Sequence, residues 1–259
     1  PEIRELVGRV EEGGCPAEIS GLAPVHRAIV GAAVAQATER PAVFGPTGEF
    51  LASGRLDNLS SVHAGLVAML DAAGAVGAAS GSEHVAVLAC FDHEEVGSSS
   101  RSGAAGPLLE QVLQRISASL GGGVEDYQRM LASSSCISAD AGHAVHPNYA
   151  SLHDPDHRPL LNAGPLLKTN ANLRYTTDGV SGAVFRRAAQ AVGVPVQDFV
   201  SNNAVPCGST IGPMTAERLG IVTCDVGIPL LSMHSARELA GTLDASWLAA
   251  ALGAYFVGA

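Results

Sequence analysis

Residues 85–103 read VAVLACFDHEEVGSSSRSG, an apolar run that gives way to three carboxylates and then to a Gly/Ser-rich turn. The run Val85 to Phe91 predicts a strand buried on both faces of a sheet. Asp92, Glu94 and Glu95 stand where that strand ends. Neighbouring side chains of an extended chain point to opposite faces, so Glu94 and Glu95 can serve one site only if the backbone bends between them and the turn. Val96-Gly97 and the serines after it predict that bend, with one of Ser98 to Ser100 capping a following helix. Open α/β sheets place their ligands at the carboxyl ends of strands, where two acids can divide the labour between holding a metal and moving a proton.

The chain has 259 residues, 47% hydrophobic and 15% charged, enough for one large or two modest domains with an ample core. It carries a net charge of −10 and a single lysine, Lys168, which argues against a nucleic-acid or anionic-membrane partner. No apolar run is long enough to span a bilayer and no export signal is visible. The five cysteines are widely spaced with no CxxC, which suits reduced thiols in a cytoplasmic protein better than a disulfide framework or a structural zinc site. The sequence starts at Pro1, as a processed or truncated piece does.

Taken in order, residues 1–12 predict an amphipathic helix, and residues 28–37 are apolar enough to be buried. Residues 42–44 and 49–51 read as short strands around Gly-Pro-Thr-Gly. Asp57 and Asn58 stand before an apolar helix through Leu70, where either can cap the helix or, for Asp57, bridge two metal ions. Helices are expected over 104–120, 124–132, 181–192 and 245–256, and strands over 136–140, 194–200, 221–228 and 230–233. Residues 151–167 read as a polar surface loop, and Lys168 beyond it as a solvated side chain by default. His143 and His146 follow Asp140 closely; an isolated histidine is commonly a satisfied core residue, while two behind an acid point to a site. Strands alternating with helices predict an α/β class, a mixed central sheet flanked by helices in three layers.

Asp57, Glu94, Glu95, Asp140 and His234 reach the strand ends or helix starts of four separate segments. Hard carboxylates with few histidines suit zinc, manganese or cobalt in a paired site. Such metals acidify a water, and a spare Glu can take its proton and pass it to a leaving amine. A dinuclear phosphoesterase fits the same ligands but finds no basic cluster for phosphate.

The blocks SGRLDNL, FDHEEVGS, SADAGHAVHPNY, KTNANLRY, PCGSTIGP and DVGIPLLSMHSARE, in that order over about residues 40–240, resemble the successive blocks of the aspartyl aminopeptidase family, which contains yeast aminopeptidase I. The resemblance implies a zinc-exopeptidase fold and two Zn2+ ions, with Mn2+ or Co2+ as substitutes. It implies Asp57 as the bridging ligand, Glu95, Asp140 and His234 as further ligands, and Glu94 as general base and acid. It also implies that His143 touches substrate, that Tyr175 stabilises the oxyanion, and that Lys168 meets an acidic substrate side chain, giving a preference for N-terminal Asp or Glu of peptides. Homo-oligomerisation, as dimers assembling to a dodecamer, is implied too. The family's N-terminal His-x-Asp block has no counterpart in this sequence, so residues 1–40 read as the end of an inserted dimerisation domain and 41–259 as a catalytic domain lacking its N-terminal portion. An aminopeptidase for neutral residues and a non-catalytic subunit of the oligomer are the competing readings.

Overall fold

The computed structural model describes residues 39–78 and 84–258. The helix expected over 1–12, the apolar segment 28–37 and most of the proposed inserted-domain remnant lie outside the described residues. The chain enters a hairpin of β1 (Ala42–Phe44) and β2 (Phe50–Ser53), closed by a turn whose Gly45 and Gly48 hold φ of 97° and 73°. Helix α1 (Leu56–Ala78) follows. After residues 84–107 come α2 (Leu108–Ser119) and α3 (Val124–Ala132), then β3 (Ser135–Ala139) and the short β4 (Gly142–His143). β5 (Leu166–Thr169), α4 (Gly179–Ala191), β6 (Gln197–Val200) and α5 (Ile211–Leu219) lead to β7 (Val222–Gly227) and β8 (Pro229–Leu231). β9 (Glu238–Gly241) and α6 (Thr242–Phe256) complete the described order.

The strands form two mixed sheets, ordered β1-β2-β9-β8-β4 and β3-β7-β5-β6, in agreement with the expected α/β class. They are joined along one edge of each, where β3 continues toward β4 and β7 toward β8. β3 and β4 run parallel to β7 and β8, and between them Asp140 N, Gly142 N and Ala144 N donate to Val226 O, Ile228 O and Leu230 O at 3.0, 3.0 and 2.8 Å. A Cβ on Gly227 would collide with the backbone of Asp140, so a glycine is required where the two segments cross. Asp140 therefore stands at the seam.

Helix α1 packs along α6, burying Ala64, Ala68 and Ala72 on one side and Leu248, Ala251 and Leu252 on the other. Small residues let the two backbones approach, and Gly253 faces Ala68 directly. Phe185 of α4 joins Leu167, Val226, Ile228 and Leu230 in the same core. A smaller cluster of Tyr127, Leu131, Leu219 and Ile221 fixes α3 against α5 and the start of β7.

Three expectations differ from the structure. Residues 85–91 form no strand: they lie outside both sheets, with Val85 62% exposed. An apolar composition supplies the propensity for a buried strand, but a strand exists only where a neighbour offers a ladder, and the described residues offer none to this run. Leu88 packs onto α1, against Gly65. Second, residues 151–167 are not loop throughout, and Lys168 is not solvated: Leu166 to Lys168 are buried in the central strand β5. No serine of 98–100 caps a helix either; Ser100 Oγ instead accepts from Gly103 N at 2.9 Å and meets His93 Nδ1, and Pro107 precedes α2.

Candidate metal centre

Three segments converge above the ends of α1 and β8. The chain leaves β2 through Arg55 (φ 61°) into the first turn of α1, where Asp57 and Asn58 depart from helical geometry and their peptide bond is cis. Asp57 does not cap the helix. Its carboxylate, 5% exposed, points away, with Oδ2 3.0 Å from His234 Nε2. Asn58 Nδ2 donates to Ala139 O at 2.8 Å and ties this turn to the end of β3.

Glu94 and Glu95 lie on a single 3-10 turn, Glu94–Val96, held between left-handed His93 (φ 64°) and Gly97 (φ 95°). The expected bend is present, although it follows a loop and not a strand. It brings Glu95 Oε2 within 3.2 Å of His234 Nε2. His234 is itself left-handed (φ 65°), in the turn after β8. Non-glycine residues in this region of backbone space cost about 1–3 kcal/mol each, and Arg55, His93 and His234, in the turns that carry the three side chains, are among those the described residues contain.

One ligand atom from each of Asp57, Glu95 and His234 lies within 4.8 Å of the other two. The electrostatics follow from that crowding. The Asp57 hydrogen bond raises the His234 pKa to about 9. Burial opposes ionisation of Asp57, but the hydrogen bond and charge of His234 outweigh it and hold the carboxyl below its usual range. Loss of solvent, then the Asp57 charge, pushes Glu95 up to about 7. Glu94 is raised as well, by burial and then by Asp140 and Asp57.

Asp140, the other carboxylate implied as a ligand, lies outside this trio. Its Oδ2 is 3.2 Å from the ammonium of Lys168, which also donates to Ala141 O at 3.0 Å. Lys168 is 1% exposed and lies under the ring of Tyr175, 5.1 Å from its centroid. Burial, then neighbouring Cys207, raises the Tyr175 phenol well above its ordinary range. His143, at the end of β4, opens to solvent on one side. The protein packed around its ring and the charges of His234 and His153 hold its pKa down.

Several residues to which the sequence reading gave no role organise this site. Glu238, 2% exposed at the start of β9, accepts from Asp57 N and from His234 N. Asp225 is fully buried and accepts from Thr176 N and Thr176 Oγ1, both at 2.7 Å, which fixes the chain next to Tyr175. Ser138, Asp225 and Lys168 lie opposite one another across β3, β7 and β5, so one face of that sheet carries a polar row that ends at Phe199 on β6. The available signal was an acid in an otherwise apolar strand, at Asp225 and at Glu238.

The trio suits a divalent cation. Its donors are two carboxylates and an imidazole, and Asp57 Oδ1 is buried with no hydrogen-bond partner, a position that a cation satisfies. A cavity of about 410 Å³ bordered by Thr177, Asp178, Arg186 and Asp198 contains none of the trio.

Residues 33–256 match the sequence profile of the Aminopeptidase I zinc metalloprotease (M18) family. The chain belongs to the M18 family. It is 53% identical over 219 residues to a probable M18 family aminopeptidase 2 of Streptomyces coelicolor, covering 84% of this chain and 50% of that protein. Among solved structures, that of the Ape4 and Nbr1 complex superposes with a TM-score of 0.76 at 38% identity, over 85% of this chain and 41% of that one. The Saccharomyces cerevisiae mApe1 dodecamer superposes with a TM-score of 0.75 at 31% identity, over 84% and 48%. The chain thus spans about half the length of the M18 relatives it matches.

Proposed function

We propose that this M18 chain carries the catalytic machinery of a metallo-aminopeptidase that removes N-terminal residues, preferably Asp or Glu, from peptides through a dinuclear zinc site. The observation that carries the reading is the convergence of Asp57, Glu95 and His234 from three separate segments, with Glu94 on the same turn. Asp57, Glu95 and His234 would hold the metal, with Asp57 as the ligand common to both ions, and Asp140 would be a further ligand. Bound zinc, with Mn2+ or Co2+ as substitutes, supplies Lewis acidity toward the scissile carbonyl and lowers the pKa of water.

The remaining work falls to the chain's own groups. Glu94, its pKa raised, is suited to accept a proton from water and deliver it to the departing amine. Tyr175, kept protonated by its surroundings, is suited to donate to a developing oxyanion. His143 borders the site and would touch substrate. Two of the three ammonium hydrogens of Lys168 are committed to Asp140 and Ala141. Lys168, the only lysine in the sequence, would be the residue that meets an acidic substrate side chain.

Assembly into a homo-oligomer follows the dodecamer of the Saccharomyces relative. Cys90, Cys136, Cys207 and Cys224 are free thiols, consistent with a cytoplasmic setting. No helix among the described residues is long and apolar enough to cross a membrane.

The test is zinc content together with hydrolysis of Asp- and Leu-p-nitroanilide. Both are measured on the chain alone and on the chain mixed with the portion of the Streptomyces relative that lies outside the match. Two zinc ions and Asp-selective turnover in either preparation support the reading, and Lys168→Leu should then reverse the order of the two substrates. Zinc uptake without turnover in both preparations would leave a non-catalytic subunit as the better account.

A further inference from the structure

We propose that Glu238 is a positioning residue that sets the spacing between Asp57 and His234, and thereby the affinity of the trio for a divalent metal. The two prongs of one buried carboxylate are used separately: Oε2 accepts from Asp57 N at 2.9 Å and Oε1 accepts from His234 N at 2.7 Å. The two backbones it joins are 177 residues apart in sequence, and their side chains meet at 3.0 Å. Glu238 opposes Ser53 in the β2–β9 ladder, so it stands where β2 ends and the chain turns toward Asp57. It also lies just beyond the last pair of the β8–β9 ladder, Leu231 with Leu239, where the chain turns toward His234.

Only a carboxylate offers acceptors on both prongs. A glutamine has nearly the same shape but turns an N–H against one of the two amides. One hydrogen bond is then replaced by a donor facing a donor, and the turn carrying Asp57 or the turn carrying His234 must move. Since His234 already holds a left-handed backbone, it has few alternative conformations in which to keep its place.

The inference rests on the trio being a metal site, and its test does not consult hydrolysis. Co2+ is titrated into the wild-type chain, Glu238→Gln and Leu248→Ala, a control in the buried core of α6 that makes no hydrogen bond to the trio. Glu238→Gln should weaken Co2+ binding about 10–100-fold and alter the visible absorption of the bound ion. Leu248→Ala, destabilised through the core, should bind within about twofold of wild type. Equal binding by Glu238→Gln and wild type, or equal losses in Glu238→Gln and the control, would overturn the proposal. Should the glutamine variant not fold, amide exchange in the wild-type chain decides. Asp57 and His234 amides should be protected without metal, and exchange at the rate of exposed amides refutes the clamp. A wild-type chain that takes up no Co2+ removes the metal site and this inference together. Uptake with the expected variant effect but no peptide hydrolysis removes only the peptidase reading.

Discussion

Lys168 and Asp140 form a nearly buried ion pair: the ammonium lies 3.2 Å from Asp140 Oδ2, with the lysine side chain 1% and the aspartate 17% exposed. The pair joins β5 to the seam between the two sheets, so it holds the sheet as well as serving the site. Removing one member of such a pair leaves the other charge without its partner. Lys168→Met should therefore cost about 3 kcal/mol, read from urea unfolding, and Lys168→Met with Asp140→Asn should recover part of the loss. Additive losses in the double variant would show that the two charges are not coupled.

Glu94 shares its turn with Glu95 but is not among the three clustered ligands. Replacing it with Gln should leave zinc content unchanged and lower turnover of Asp-p-nitroanilide by about 10²–10⁴-fold. Loss of zinc on the same substitution would identify Glu94 as a ligand instead.

Asp225 holds Thr176 with one oxygen, and its other oxygen faces Gly212 at the start of α5, where an added Cβ would collide with it. Gly212→Ala should displace the carboxylate and destabilise the chain by about 2 kcal/mol, while Thr176→Val, which removes one of the bonds, should cost about 1 kcal/mol. Equilibrium unfolding of the two variants checks the order.

Asp244, in the first turn of α6, is fully buried and accepts from Asn162 N at 2.6 Å and Gly164 N at 2.9 Å. Burial raises its pKa to about 6 against the opposing pull of those amides. Since the folded value lies above that of the unfolded chain, the protonated form favours the fold. The contribution is full below about pH 4 and is lost as pH rises through about 6. Urea midpoints measured from pH 4 to 8 should show this decline on top of other titrations, and Asp244→Asn should flatten that component while lowering stability overall. An unchanged pH profile in the variant would assign the slope to other groups.

Much of the architecture was legible in the sequence because it is encoded locally. The hairpin at 42–53 is announced by its turn, the helix Val124–Ala132 by its periodicity, and the strands that deliver Asp140 and His234 by short apolar runs. The acids and the histidine that meet were all found among the motif blocks, since side chains suited to bind a metal are conspicuous against an apolar background. Residues 85–91 misled because strand propensity is a property of composition, whereas a strand requires a neighbour. β5 and Lys168 misled because a lysine marks a segment as polar wherever it is read alone.

The sequence by itself determined the class of the fold, the order of most of its elements and which residue types are available for chemistry. The tertiary structure alone decided that Asp57, Glu95 and His234 meet while Asp140 turns to Lys168, and that Glu238 and Asp225 hold the backbones around them. These are contacts between residues far apart in the chain, up to 181 positions for Asp57 and Glu238, and they depend on strand register and left-handed turns. Local propensity does not specify such pairings; the closing of the sheets around a shared core does.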